Sequence, residues 1–156
     1  MDFKTFGFRN AYGVDLGETV RLYNEDPADY EASMCYVNSF HLCANMMRRG
    51  RGKFVRSVFG YVLSSDGERK VAVRHAWNMI EVGLFKAAVD VTMMANGESL
   101  FSVMGYTCLP VDEYTPGEFL EKVDKNNAMA DLPVTQKEKK VVEKLKNKGF
   151  EVLGAD

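Results

Sequence analysis

The chain has 156 residues, a net charge of −2, and 46% hydrophobic against 27% charged residues. That length suits one domain, 1–156, able to bury its own core, and the near-neutral charge supplies no global field to draw in nucleic acid or an anionic membrane. The apolar runs are too short to cross a bilayer, and the opening MDFKTFGFRN has no signal-peptide core, so the cytoplasm is the expected compartment.

Met1 to Asn24 is broken by Gly7, Gly13 and Gly17 and reads as loops around a short strand. Asp26 followed by Pro27 is a helix-start signal, with a cap and then the residue favoured at the first helical position. A helix is expected from about Ala28 to Arg49, stopped by Gly50. A break near Ser33, with the longer helix starting after it, fits equally well. Four strands follow: Lys53–Ser65, Lys70–Ile80, Leu84–Met94 and Ser99–Leu109, each rich in β-branched and aromatic residues. Ser65-Asp66-Gly67 and Asn96-Gly97 are turn signals, and four adjacent strands on short turns imply an antiparallel meander. Thr115-Pro116 opens a further helix. Thr135 with Glu138 forms a capping box before the last one, which ends at Gly149 and sets Val141, Val142 and Leu145 inward. The expected class is α+β: an N-terminal helix packed on an antiparallel meander, with C-terminal accessory helices.

Three cysteines, Cys35, Cys43 and Cys108, and two histidines, His41 and His75, carry the reactive chemistry. An odd cysteine count without CxxC spacing opposes a disulfide framework and a structural zinc, and no metal or cofactor is expected. His75 alternates with Val71, Val73, Trp77 and Met79 on one strand face, largely apolar, where a histidine needs a partner. With Val82-Gly83 as a two-residue turn, Glu81 pairs with Leu84 and His75 falls opposite Asp90. Their Cβ atoms are then about 4.5–5.5 Å apart. Such a pair is either a structural ion pair or an oriented base. Cys35 lies about two turns into the expected helix, or at its head if the chain breaks near Ser33. There the free backbone N–H groups favour a thiolate and a developing oxyanion. The competing reading makes Cys35 a small apolar filler. His41, six residues on, points to another side of the helix. Cys43 and Cys108 read as core or loop filler. Trp77 is a candidate wall beside His75, or simply core, and Asn38, one turn after Cys35, lines a cleft or bonds to a loop. Arg48-Arg49-Gly50-Arg51-Gly52-Lys53 is a basic cluster, either matched to a helix C-terminus or a contact for an acidic substrate or phosphate.

Taken in order, Cys35-Tyr36-Val37-Asn38-Ser39, Gly60-Tyr61-Val62, His75-Ala76-Trp77-Asn78 and Val89-Asp90-Val91-Thr92 resemble the transglutaminase-like superfamily within the wider papain-like thiol fold. The resemblance covers a little over a third of the chain. It implies Cys35 as nucleophile, His75 as base and Asp90 as orienting acid, acting on a protein or small amide substrate. The superfamily contains crosslinkers, deamidases, amidases, peptidases and members without activity. The implied activity is therefore a thiol hydrolase or acyltransferase, with an inactive binding or inhibitory module as the alternative. No Gln precedes Cys35, so an oxyanion donor has to come from the backbone N–H of Cys35 or Tyr36, or from a side chain such as Tyr30 or Asn24.

Overall fold

The computed structural model describes residues 5–98, 106–126 and 133–155. The architecture is α+β, with helices packed on an antiparallel sheet. In chain order, α1 (Leu16–Glu25), a 3₁₀ turn (Pro27–Asp29) and α2 (Cys35–Arg48) precede β1 (Val55–Ser65), β2 (Lys70–Val82) and β3 (Phe85–Val89). Then come α3 (Val91–Ala95), β4 (Thr107–Tyr114), α4 (Pro116–Asn126), α5 (Gln136–Asn147) and β5 (Phe150–Leu153).

Helix α1 was not expected from the glycine-broken N-terminus. Asp15 caps it by accepting from the Glu18 amide (3.0 Å), and Gly17 falls in the first turn, where its helix penalty is small. The short strand expected in this region is reduced to an isolated bridge between Tyr12 and Cys108. Of the two readings of the next helix, the broken one holds. Ser33 has φ of +61°, a left-handed conformation that interrupts the helix, and α2 starts afresh at Cys35. Helix α2 buries Ser39, Leu42, Cys43 and Met46, at helical spacing on one side, and ends just before Gly50, whose φ of +73° suits the residue past a helix end.

The sheet order is β3-β2-β1-β4, so β4 returns beside β1. Two sequence expectations need correction. The third strand ends at Val89, and Val91–Ala95 is helix: Asp90 caps it by accepting from the Thr92 amide (3.1 Å). Asn96-Gly97 then closes that helix instead of turning a hairpin. Of the fourth expected strand, 99–105 lies outside the described residues, and pairing runs over Thr107–Tyr114. Strand β5, absent from the sequence reading, pairs in parallel with Lys70–Val73 of β2.

Residues alternate between the two faces of β2. Ala72, Ala76, Asn78 and Ile80 share the face covered by α2 and α5. Asn78 donates to Ser39 O (3.1 Å), and Ala72 lies in a cluster with Leu145 of α5 and Phe150. His75, Trp77 and Met79 occupy the other face, where Trp77 and Met79 pack with Tyr12, Val14 and Val58. Gly60 of β1 pairs with His75. A Cβ on Gly60 would sit 2.1 Å from Leu109 O, so only glycine permits β4 to pass at the irregularity between Phe59 and Gly60.

One edge of β2 is shared. β3 pairs with Asn78–Val82 and β5 with Lys70–Val73, leaving residues 74–77 without a ladder partner on that side among the described residues. This break in the sheet edge holds the site.

Candidate active site

Three elements meet at the break. Asp90 follows the last residue of β3, His75 lies on β2, and Cys35 is the first residue of α2. The His75 ring nitrogen Nε2 bonds to Asp90 Oδ2, and Cys35 lies near enough to act on the charge of the ring. With Nε2 engaged by Asp90, Nδ1 is the nitrogen left for the sulfur. Of the three residues singled out as a triad in the sequence, His75 and Asp90 are joined by a hydrogen bond and Cys35 stands near the ring.

The register that joins them differs from the one expected. The turn is Gly83-Leu84, and Val82 pairs with Phe85. Gly83 has φ of +59° at the first central position, the requirement of a type II′ hairpin turn. Pairing is shifted by two residues, which keeps every side chain on its face. His75 therefore reaches Asp90 on a diagonal, not from a directly opposed position.

Asp90 is 1% exposed and the His75 side chain 16%. Burial pushes the imidazole toward its neutral form. The Asp90 charge and hydrogen bond, aided by Cys35, outweigh that and raise the His75 pKa from 6.5 to about 10. The carboxylate is itself held from several sides. Its Oδ1 accepts from the Thr92 amide. The Asp90 amide donates to Thr19 Oγ1 (3.3 Å), while the Thr19 hydroxyl donates to Asp15 O (2.7 Å).

Asn38 links the nucleophile's helix to this cap. It is fully buried. Its Nδ2 donates to Glu31 O (2.7 Å) and Thr92 Oγ1 (2.8 Å), and its Oδ1 accepts from Glu31 N (2.9 Å). Of the two readings offered for Asn38, loop bonding holds, and the side chain does not line a cleft. The Ser33 amide donates to Asn96 Oδ1 (2.7 Å), so the loop before Cys35 is clamped by two amide side chains. Sequence reasoning missed Thr19 and Asn96 in these roles. Thr92 was visible as the last residue of Asp90-Val91-Thr92, though its bond to Asn38 was not.

Trp77 is buried and stacks beside His75, with ring centroids 6.3 Å and planes 23° apart. Its Nε1 donates to Tyr12 Oη (3.1 Å). It is both core and wall, backing the imidazole. The Tyr36 ring turns away into the core, 5.3 Å from Phe59, so only its backbone stays beside Cys35. Of the alternative oxyanion donors, Tyr30 is buried and its hydroxyl accepts from Asn45, and Asn24 is exposed near the end of α1. Met34 provides no side-chain cap for α2. First-turn amides have no intrahelical acceptor, and here they open on a small hollow of about 40 Å³ lined by Ser33, Met34, Cys35, Tyr36 and Val37.

The other reactive candidates are structural. Cys43 is buried, with its sulfur 3.3 Å from Ser57 Oγ, and burial pushes its pKa up to about 11. Cys108 is fully buried, and its thiol is likewise pushed up. His41 bonds through Nδ1 to Asp29 O (2.8 Å). The basic cluster is partly neutralised: Arg49 pairs bidentately with Asp26, and Arg51 meets Glu25. Among the described residues, no group of three or more His, Cys, Asp or Glu side chains is placed to hold a metal ion, and no helix is long and apolar enough to cross a membrane. No protein-family model matches the chain, and neither the curated proteins nor the solved structures yield a match.

Proposed function

We infer that the chain is a thiol-dependent hydrolase or acyltransferase of transglutaminase-like type, acting on an amide or ester through a thioester on Cys35. The observation that carries this reading is the bond from His75 to a buried carboxylate, with Cys35 near the ring. In the first step the proton of the Cys35 thiol passes to His75, the sulfur attacks the carbonyl carbon, and the oxyanion is met by the backbone amides at the head of α2. His75 delivers its proton to the leaving nitrogen or oxygen, and the bond to the leaving group breaks. Water, or an amine that gives up its proton to His75, then attacks the thioester and restores the thiol. Asp90 fixes the ring with Nδ1 toward the sulfur and stabilises the imidazolium. The chemistry needs a free thiol, and Cys35 is unpaired, which suits a reducing compartment such as the cytoplasm.

The test is acylation by p-nitrophenyl acetate, followed by stopped-flow absorbance and intact mass. A burst of p-nitrophenol with one acetyl group on Cys35, lost in Cys35→Ala and strongly slowed in His75→Ala, is the expected result. Absence of any adduct on Cys35 would overturn the reading and leave a non-catalytic binding module of this fold.

A further inference from the structure

Beside His75, on the sheet face away from α2, lies a pocket of about 230 Å³. Among the described residues, its apolar lining is Val62, Val73 and Met93, and its ionisable lining is His75, Glu98 and Tyr106. Its volume is below the roughly 300–1,000 Å³ of drug-sized sites, so it suits a single residue-sized group. The Tyr106 hydroxyl donates to Glu98 Oε1 (3.2 Å). That bond orients the carboxylate while leaving lone pairs for a ligand, since a carboxylate offers about four acceptor sites. The charge of the His75 ring is already matched by Asp90, so among the described residues the negative charge of Glu98 has no counter-ion in the pocket lining.

The pocket's position assigns its side of the reaction. The hollow at the head of α2 is lined by Cys35 and its neighbours, the pocket by His75, and the Ser33–Asn96 hydrogen bond joins their rims. A group that takes its proton from His75 must lie within hydrogen-bond reach of that ring. The acyl carbon belongs over Cys35, and what departs belongs on the His75 side.

We propose that this pocket is the leaving-group subsite of the Cys35 reaction, and that Glu98 selects leaving groups with an aliphatic stem ending in a cation. This rests on the thiol-enzyme reading above. Val62, Val73 and Met93 cover the methylenes while Glu98 and Tyr106 meet the ammonium head, the division that long cationic side chains favour. The step balances as before: the acyl carbon–nitrogen bond breaks as the sulfur–carbon bond forms, and the His75 proton goes to the departing nitrogen.

By microscopic reversibility the same pocket receives an attacking amine. The test loads Cys35 with acetyl from p-nitrophenyl acetate and offers 1,5-diaminopentane, n-pentylamine or 5-aminopentanoate. Partitioning between N-acetyl product and acetate is then measured. Expected is a preference of about tenfold for the diamine over n-pentylamine, the effect of one charge-assisted contact, with 5-aminopentanoate poorest. Glu98→Gln should level the first two, and Glu98→Lys should favour 5-aminopentanoate. Rates are compared as ratios, so a general loss of activity cancels. An acetylated Cys35 that shows no preference among the three amines, or a preference that survives Glu98→Gln, overturns the subsite and leaves the enzyme reading standing. If Cys35 is never acetylated, both fall.

Discussion

His75 and Asp90 meet diagonally across the β2–β3 hairpin, at the point where β3 stops pairing and turns into α3. A hairpin slipped by one residue would put them on opposite faces; slipped by two, it keeps them together. The carboxylate serves two elements at once, taking His75 on Oδ2 and the first turn of α3 on Oδ1.

The double role separates charge from capping. Asn caps helices about as well as Asp, so Asp90→Asn should keep α3 in place while removing the charge that holds the imidazolium. Acylation should fall by roughly 10²- to 10⁴-fold with a small change in melting temperature. Asp90→Ala should show the same kinetic loss and a further destabilisation of about 1 kcal/mol from the missing cap. Thermal unfolding beside burst kinetics checks both. Equal activity in Asp90→Asn and wild type would remove the carboxylate from the mechanism.

The three thiols should separate cleanly under alkylation. Cys35 is partly exposed and lies near His75, whereas Cys43 and Cys108 are buried with their thiols pushed upward. In the native protein near pH 7, dilute iodoacetamide should label Cys35 alone, roughly tenfold or more faster than either of the others. All three should label in denaturant. Peptide mapping by mass spectrometry reads the result, and labelling of Cys43 ahead of Cys35 would contradict the geometry.

The α+β class and the shared face of His75 and Asp90 were legible because period-2 alternation fixes faces even when register is off by two. The head of α2 at Cys35 was legible only as one of two options. What decides it is the positive φ of Ser33, held by tertiary bonds from Asn38 and Asn96 that local sequence does not encode. Helix α3 was hidden because Val91 and Thr92 have strong strand propensity, and the capping carboxylate of Asp90 overrides it. The Thr135–Glu138 capping box is only half formed. The Thr135 hydroxyl takes the Glu138 amide, but the Glu138 carboxylate goes instead to Arg74 and Tyr61, a long-range partnership invisible to a four-residue motif.

Asn38 gives a stability prediction independent of catalysis. Its amide satisfies both backbone groups of Glu31, which are part-buried, and the buried Thr92 hydroxyl. Asn38→Ala strands these partners and opens a void, which should cost about 2–4 kcal/mol. Asn38→Asp sets a carboxylate oxygen against Glu31 O, acceptor against acceptor, and buries a charge, and should be worse. Urea unfolding measures both. A change of under about 0.5 kcal/mol in Asn38→Ala, the range of an ordinary surface substitution, would show that the Glu31 loop is not held by this residue.

The raised pKa of His75 makes stability depend on pH in a definite direction. The folded protein binds the ring proton more tightly than the unfolded chain, with a pKa of about 10 against 6.5. The stabilisation from the ion pair is therefore complete below about pH 6.5, declines as pH rises, and is gone above about 10. Its full size is on the order of a few kcal/mol. Lysines, tyrosines and the other thiols titrate in the same window, so the useful quantity is the difference in unfolding free energy between wild type and His75→Gln. That difference should shrink steadily from pH 6.5 to 10, and the imidazole resonances of His75 should titrate near the upper end of this range. A difference that widened with pH would mean that the ring is buried neutral, and that Asp90 holds it as a hydrogen-bond acceptor without the charge that the proposed proton transfer uses.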